Sequence, residues 1–257
     1  MDGAGAAYVT GSTNGGLPTT PGAYQTVCGC TEVSTGFLVF FESDAFVTKF
    51  DPAASTLVYS TYMGVAYAAG KALAVGADGS AYLASGVVYH LNASGSSLLG
   101  TGVPGIGTQV MAVAADGSVY MAGSPEANQF QATAGAFQTT GPAAALPYRS
   151  SDAAAIVKMD SQLQKILAAT CFGGPYGPGV ASMVIEAAGN IYIGGGTPPR
   201  GLPTRTPLFS VYQITVYVPI FAAINPDLKN YVFPPLLSLV LQIAGVTSQS
   251  GLSISIQ

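Results

Sequence analysis

DGSAYLASGVVYHLNASGSSLLGTGVPGIGTQVMAV, residues 78–113, contains four short runs of β-forming residues divided by tight-turn signals. AYLAS follows Asp78-Gly79, VVYHL follows Gly86, SLLGTG follows the Asn92–Gly95 turn, and QVMAV follows the Gly102-Val-Pro-Gly105 turn. Asp-Gly and Asn-containing turns between β-rich runs are hairpin signals. No 10–15-residue helical pattern separates the runs, so a parallel βαβ unit is excluded. One such sheet has two apolar faces and cannot bury both alone. Stacking copies radially buries them, which is the β-propeller solution.

The pattern recurs on either side. Tyr8, Tyr82, Tyr120 and Tyr192 sit in matching runs, AYVTGS, AYLASG, VYMAGS and IYIGGG. Tyr82 and Tyr120 are 38 residues apart, close to the period of a propeller blade. A second run follows in each of the first three units and places Lys49, His90 and Lys158 in one slot. Phe50, Leu91 and Met159 share the next slot, and Asp51, Asn92 and Asp160 the turn slot after it. The modules read as about 2–76, 77–114, 115–186 and a partial 187–206. Two of them carry insertions, about 12–43 and 124–152, which resemble each other in LPTTPGAYQT and FQATAGAFQT. LPTRTP from Leu202 is a third partial copy.

The remaining residues, 207–257, alternate over VYQITVYV, LLSLVLQIAG and GLSISIQ, which predicts a β-sandwich-like C-terminal segment. The fold expected is therefore all-β: a partial β-propeller of four-stranded antiparallel blades, three full modules plus one strand, and then this segment.

Composition narrows the function. Apolar residues make up 49% of the 257 residues and charged ones 8%, with net charge −4. A chain with eight Lys and Arg offers no basic patch for nucleic acid. No apolar run reaches the roughly 18 residues of a spanning helix, and the β runs are shorter than barrel strands. MDGAGAAYVTG lacks the basic start and apolar stretch of a signal peptide and opens inside a repeat, as expected of a fragment or of a start that lies upstream.

AYVTGSTN, LPTTPGAYQT and DAFVTKFDPAASTLVYSTYMG resemble the SBBP-type bacterial β-propeller repeat, with weaker copies to about residue 206. The resemblance implies a secreted or cell-surface multi-blade propeller without established chemistry. The tail looks like the end of the Ig-like domain that closes such proteins.

Candidate chemistry is sparse. His90 is the single histidine and sits in a slot that two lysines hold in sister units, so it reads as a tolerated strand position. Seven of the eight aspartates fall in or beside turns, where Asp caps nearby backbone N–H groups. Glu32 and Glu126 are a candidate carboxylate pair for glycoside chemistry, with nothing in the sequence to bring them together. Cys28-Gly-Cys30 could hold a soft metal or act in redox chemistry, but two thiols alone make a weak site, and Cys171 reads as a small core residue. Neither a catalytic residue, nor a cofactor, nor a metal is predicted. Insertions at one point of a repeat emerge on one face, often the binding face. Their aromatics make Tyr24, Phe37, Phe41, Phe137 and Tyr148, with Arg149, the candidate ligand contacts. The functional expectation is an extracellular, non-catalytic scaffold or adhesion protein that binds a protein or carbohydrate, with self-association through open blade edges. The alternative is a propeller-based enzyme such as a lyase or glycosidase.

Overall fold

The computed structural model describes residues 1–30, 32–34, 39–64, 68–126, 129–139, 154–173, 179–197, 218–230 and 232. Its sheets are antiparallel and are laid down one after another along the chain. Blade I holds β1 (Tyr8–Thr13), β4 (Asp44–Phe50) and β5 (Leu57–Met63), in that order. A small hairpin, β2 (Glu32–Ser34) with β3 (Val39–Phe41), lies in its insertion. Blade II holds β6 (Ala72–Val75), β7 (Ala81–Ser85), β8 (Val87–Leu91) and β9 (Leu98–Gly102). Blade III holds β10 (Ile106–Val113), β11 (Val119–Pro125), β12 (Ala154–Met159) and β13 (Ile166–Phe172). Blade IV holds β14 (Gly179–Ile185), β15 (Ile191–Thr197) and β16 (Val218–Ile224).

The architecture is the expected partial propeller. The first strands of successive sheets, β6, β10 and β14, neighbour one another, so the blades fan out from a common side. Three apolar clusters fill the spaces between blades. Val47, Tyr59, Met63, Leu83 and Leu91 join I to II; Val88, Ile106, Met121 and Val157 join II to III; Ile156, Phe172, Ile191 and Ile224 join III to IV. The central strands β7, β11 and β12 are buried on both faces because a blade lies on each side of them. Full burial of one large aliphatic side chain is worth about 1.5–3 kcal/mol, so these interfaces are the main source of stability. Val9 and Val184, on the outward faces of the first and last sheets, stay 43% and 62% exposed.

Two boundaries differ from the sequence reading. The run that seemed to close each module is the first strand of the next sheet: β6 pairs with β7, β10 with β11, and β14 with β15. The short Asp-Gly-type turn between them decides this, because a tight turn joins neighbours in one sheet. The second correction concerns the tail. Val218–Ile224, inside the 207–257 segment expected to be sandwich-like, instead pairs along its whole length with β15, from Ile191 opposite Ile224 to Thr197 opposite Val218. The three strands of the sandwich-like reading, VYQITVYV up to residue 217 and those in 233–257, lie outside the described residues.

The turn after the second module run is built the same way four times. The side-chain oxygen of Asp51 accepts from the amides of Ser55 and Thr56, and Asn92 from Ser96 and Ser97. Asp160 accepts from Gln164 and Lys165, and Asn225 from Lys229 and Asn230. The residue three positions on is left-handed in every case: Ala54, Gly95, Leu163 and Leu228, with φ between 53° and 70°.

Candidate functional site

The repeated tyrosine is the first component. Register places Tyr8 opposite Lys49, Tyr82 opposite His90 and Tyr120 opposite Lys158, which fixes the slot read from the sequence. The same register puts Ala223 opposite Tyr192, so blade IV lacks the basic member. Lys49 lies 4.9 Å over the Tyr8 ring and Lys158 5.0 Å over Tyr120, in cation–π geometry. The hydroxyls reach across to the next blade. Tyr8 meets the Gly79 carbonyl, Tyr82 that of Ser161 and Tyr120 that of Pro226, each at 3.0 Å. The tyrosines are therefore both packing residues and latches between blades.

Carboxylates complete each slot from the neighbouring turn. Asp2 is bound by Lys49 at 3.0 Å, which holds its carboxyl down at about 2. Asp78 and Asp116 are lowered chiefly by hydrogen bonds from Ser80 and Ser118. Asp2 is two residues out of step with the other two. The amide of Gly5 bonds the Asp2 carbonyl just as Gly79 bonds Gly76 and Gly117 bonds Ala114, so Gly5 is the turn glycine.

His90 is buried, 3% exposed, and stacks on Tyr82 at 4.0 Å. The Ser80 hydroxyl donates to Asp78 Oδ1, so Ser80 Oγ accepts from His90 Nε2, 3.0 Å away. That assigns the neutral ring with its proton on Nε2, and the buried Nδ1 has no hydrogen-bond partner. Burial lowers the His90 pKa. The unfolded chain then binds a proton more readily than the folded one, so stability falls as pH drops through the ordinary histidine value of about 6.5. Urea midpoints are expected to fall between pH 7.5 and 5.5 in the wild type, and His90→Gln should flatten that slope. An equal slope in both would remove His90 as its cause. The lowered aspartates titrate at more acidic pH and do not contribute in this window.

The insertions form the second component, and they do not simply project. Each lies along the outer edge strand of its own blade. Thr20 N–H donates to the Ser60 carbonyl and Tyr62 N–H to that of Gln25; Thr133 and Gln138 repeat this on Ala169 and Cys171. Gln25 N–H donates to Thr61 Oγ1 at 2.9 Å and Gln138 N–H to Thr170 Oγ1 at 3.0 Å. The straps then reach forward: Tyr24 N–H bonds the Gly95 carbonyl and Phe137 N–H that of Leu228. An unpaired strand edge templates aggregation, and these straps cover two of them.

Tyr24 remains 42% exposed, while Phe137 is half-buried. Phe41 falls on β3; Phe37, Tyr148 and Arg149 lie outside the described residues. Glu32 lies on β2 and Glu126 follows β11. Cys28 and Cys30 form a disulfide on the first strap, and Cys171 is a buried free cysteine.

The third component was not read from the sequence. Each outer strand bulges at its start, which leaves one residue without a cross-strand partner: Val58, Leu99 and Leu167. All three are aliphatic and close to half exposed, at 50%, 47% and 50%. The signal was the doubled aliphatic in TLVYS, SLLGT and KILAA, whose second member the register turns outward. Leu167 opens onto a cleft of about 290 Å³ between blades III and IV, with Thr133 from the strap, Lys158, and Pro226, Asp227 and Lys229 from the next turn. The cleft thus combines an apolar wall, two ammonium groups, a carboxylate and a hydroxyl.

No family model matches the chain, and no curated protein matches it. Among solved structures it is similar to hydrazine synthase of Kuenenia stuttgartiensis, at 14% identity and TM-score 0.39 over 71% of this chain and 59% of that one. It is also similar to the WD40 domain of Toxoplasma gondii coronin, at 8% identity and TM-score 0.40 over 61% and 38%. A third is the β-propeller domain of Myceliophteria thermophila Cps50 (Swd1), at 9% identity and TM-score 0.33 over 80% of each chain. The chain spans 59% and 38% of the first two.

Proposed function

We propose that the protein is an extracellular, non-catalytic binding scaffold of the SBBP-repeat type, whose outer rim contacts a protein or carbohydrate ligand. The observation that carries this reading is the half-exposed aliphatic placed at the same bulge in three successive blades. Soluble proteins scatter apolar residues singly over their surface; a row in register, bordered by straps and a polar cleft, suits a partner that repeats or runs across blades. The exposed ring of Tyr24 adds an aromatic anchor of the kind that dominates interface energies. The propeller-enzyme alternative wants titratable groups near the axis, and the innermost strands read ALAV, IGTQVMAV and GVASMVI. Secretion rests on the SBBP-like stretches. Self-association through open blade edges belongs to the same proposal.

The test is a glycan-array and pull-down screen with the wild type. It is followed by affinity measurement on Tyr24→Ala combined with Val58→Asn, and on Leu99→Asn with Leu167→Asn. Each pair is expected to weaken the selected ligand at least tenfold without lowering the melting temperature. Affinity unchanged in both would move the site off the rim.

A further inference from the structure

We propose that Cys28, Cys30 and Asp44 form a thiolate–carboxylate site for a borderline divalent cation such as zinc. The two sulfurs and an Asp44 carboxylate oxygen lie within 4.8 Å of one another. Zinc holds sulfur at about 2.3 Å and carboxylate oxygen at about 2.0–2.2 Å, so ligand atoms this close can share one ion once the bond between the sulfurs is reduced. Two thiolates and one carboxylate leave a fourth position open to water.

The second observation is the state of Asp44. It is fully buried, 0% exposed, as the first residue of β4. Its Oδ2 accepts from Gly29 N–H at 2.5 Å and from Gln25 Nε2 at 3.2 Å. Its Oδ1 has no hydrogen-bond partner. A Cβ on Gly29 would stand 3.3 Å from that Oδ1, so the free oxygen lies directly against the Cys-Gly-Cys loop. A buried carboxylate oxygen without a donor is costly, and a cation beside it removes the cost.

The repeat supplies a third argument. Gln25 matches Gln138 by its bonds to Thr61 and Thr170. Counting on from Gln138, the counterparts of Cys28 and Cys30 are Gly141 and Ala143. Ala45 opposite Met63 matches Ala154 opposite Phe172, so the counterpart of Asp44 is Ala153. All three residues depart from the repeat together, and the blade is built without them in the sister unit.

The cysteines are joined in this structure. Loading therefore begins with a dithiol reductant, which takes up the disulfide: one S–S bond breaks, two electrons and two protons pass to the cysteines, and the reductant leaves as its own disulfide. Cation binding then releases the two thiol protons.

The experiment titrates reduced, metal-free full chain with cobalt(II), then displaces it with zinc(II). A single equivalent should produce the thiolate-to-cobalt charge-transfer band, and zinc should bleach it. Cys28→Ala and Cys30→Ala should each abolish the band, Cys171→Ala should leave it intact, and the oxidised chain should give none. Asp44→Asn should retain the band and weaken cobalt binding at least tenfold. Zinc should also raise the melting temperature of the reduced wild type but not of the Cys28→Ala/Cys30→Ala double variant, which decides the matter if Asp44→Asn fails to fold. No band in the reduced wild type, a band that survives Cys28→Ala, or wild-type affinity in Asp44→Asn would overturn the site.

Discussion

Gly95→Leu is expected to destabilise the chain by about 2–5 kcal/mol, even though leucine is the residue at two of the three sister positions. The left-handed backbone contributes about 1–2 kcal/mol of this for any residue with a Cβ. The rest is overpacking, about 1–3 kcal/mol, because a Cβ on Gly95 would run into the Tyr59 ring of the preceding blade. The same joint is solved in reverse further along. Blade II offers Gly100 and Gly102 on its outer strand, a Cβ on which would come within 2.5 and 2.6 Å of the Gln162 and Leu163 carbonyl oxygens. Blade III offers Ala168, which packs in one cluster with Leu228. A large residue on one side of the joint requires a small one on the other. Equilibrium denaturation of Gly95→Leu, Tyr59→Ala and the double variant tests this. The double variant should recover more than 1 kcal/mol relative to the sum of the single effects. Strict additivity, or a Gly95→Leu chain as stable as wild type, would defeat the explanation.

Most of the blade was legible in the sequence because its rules are local. Asp-Gly turns, the Asx turn and the alternating runs each announce themselves within about ten residues, and the Lys49, His90 and Lys158 slot followed from counting. What failed depended on pairing partners. FAAINPDLKN repeats the form of VTKFDPAAST, yet Ala223 stands in the place of Lys49, so blade IV went unread past residue 206 and its third strand, β16, fell in the segment assigned to a separate tail. The phase of the sheets failed for a related reason: a tandem repeat can be cut at any turn, and only hydrogen bonding shows which strands share a sheet. His90 was read as a tolerated strand position because its sister residues are lysines. Lysine can carry its charge out to water along its stem, whereas the imidazole closes over Tyr82 and is buried. Asp44 was read as a turn residue of the repeat. A shift of one residue separates it from Asp152, and it is that shift which places its carboxylate beside the cysteines.

The straps explain why two of the blades are long, and removing their anchor should have the second large effect. Thr61 and Thr170 are fully buried on the outer strands of blades I and III. Each hydroxyl oxygen accepts the amide of a strap glutamine, Gln25 or Gln138, and each lies within 3.2 Å of that glutamine's carbonyl oxygen as well. Valine has nearly the same shape and cannot do either. Thr61→Val and Thr170→Val each strand a strap amide, at about 1–3 kcal/mol. Blade II separates the two sites, so the effects should add to about 2–6 kcal/mol in the double variant. Loss of global stability alone would not distinguish a strap from any other buried contact. The discriminating measurement is amide hydrogen exchange. Ser60, Tyr62, Ala169 and Cys171 donate their amides to the straps, whereas Leu83 and Met121 lie in the interior of blades II and III. The first group should exchange at least tenfold faster in the double variant, while the second group changes only by the global loss. The freed edges should also make the double variant aggregate at concentrations where the wild type stays dispersed. Uniform acceleration across both groups would show that the threonines support the blades as a whole and that the straps hold by other means.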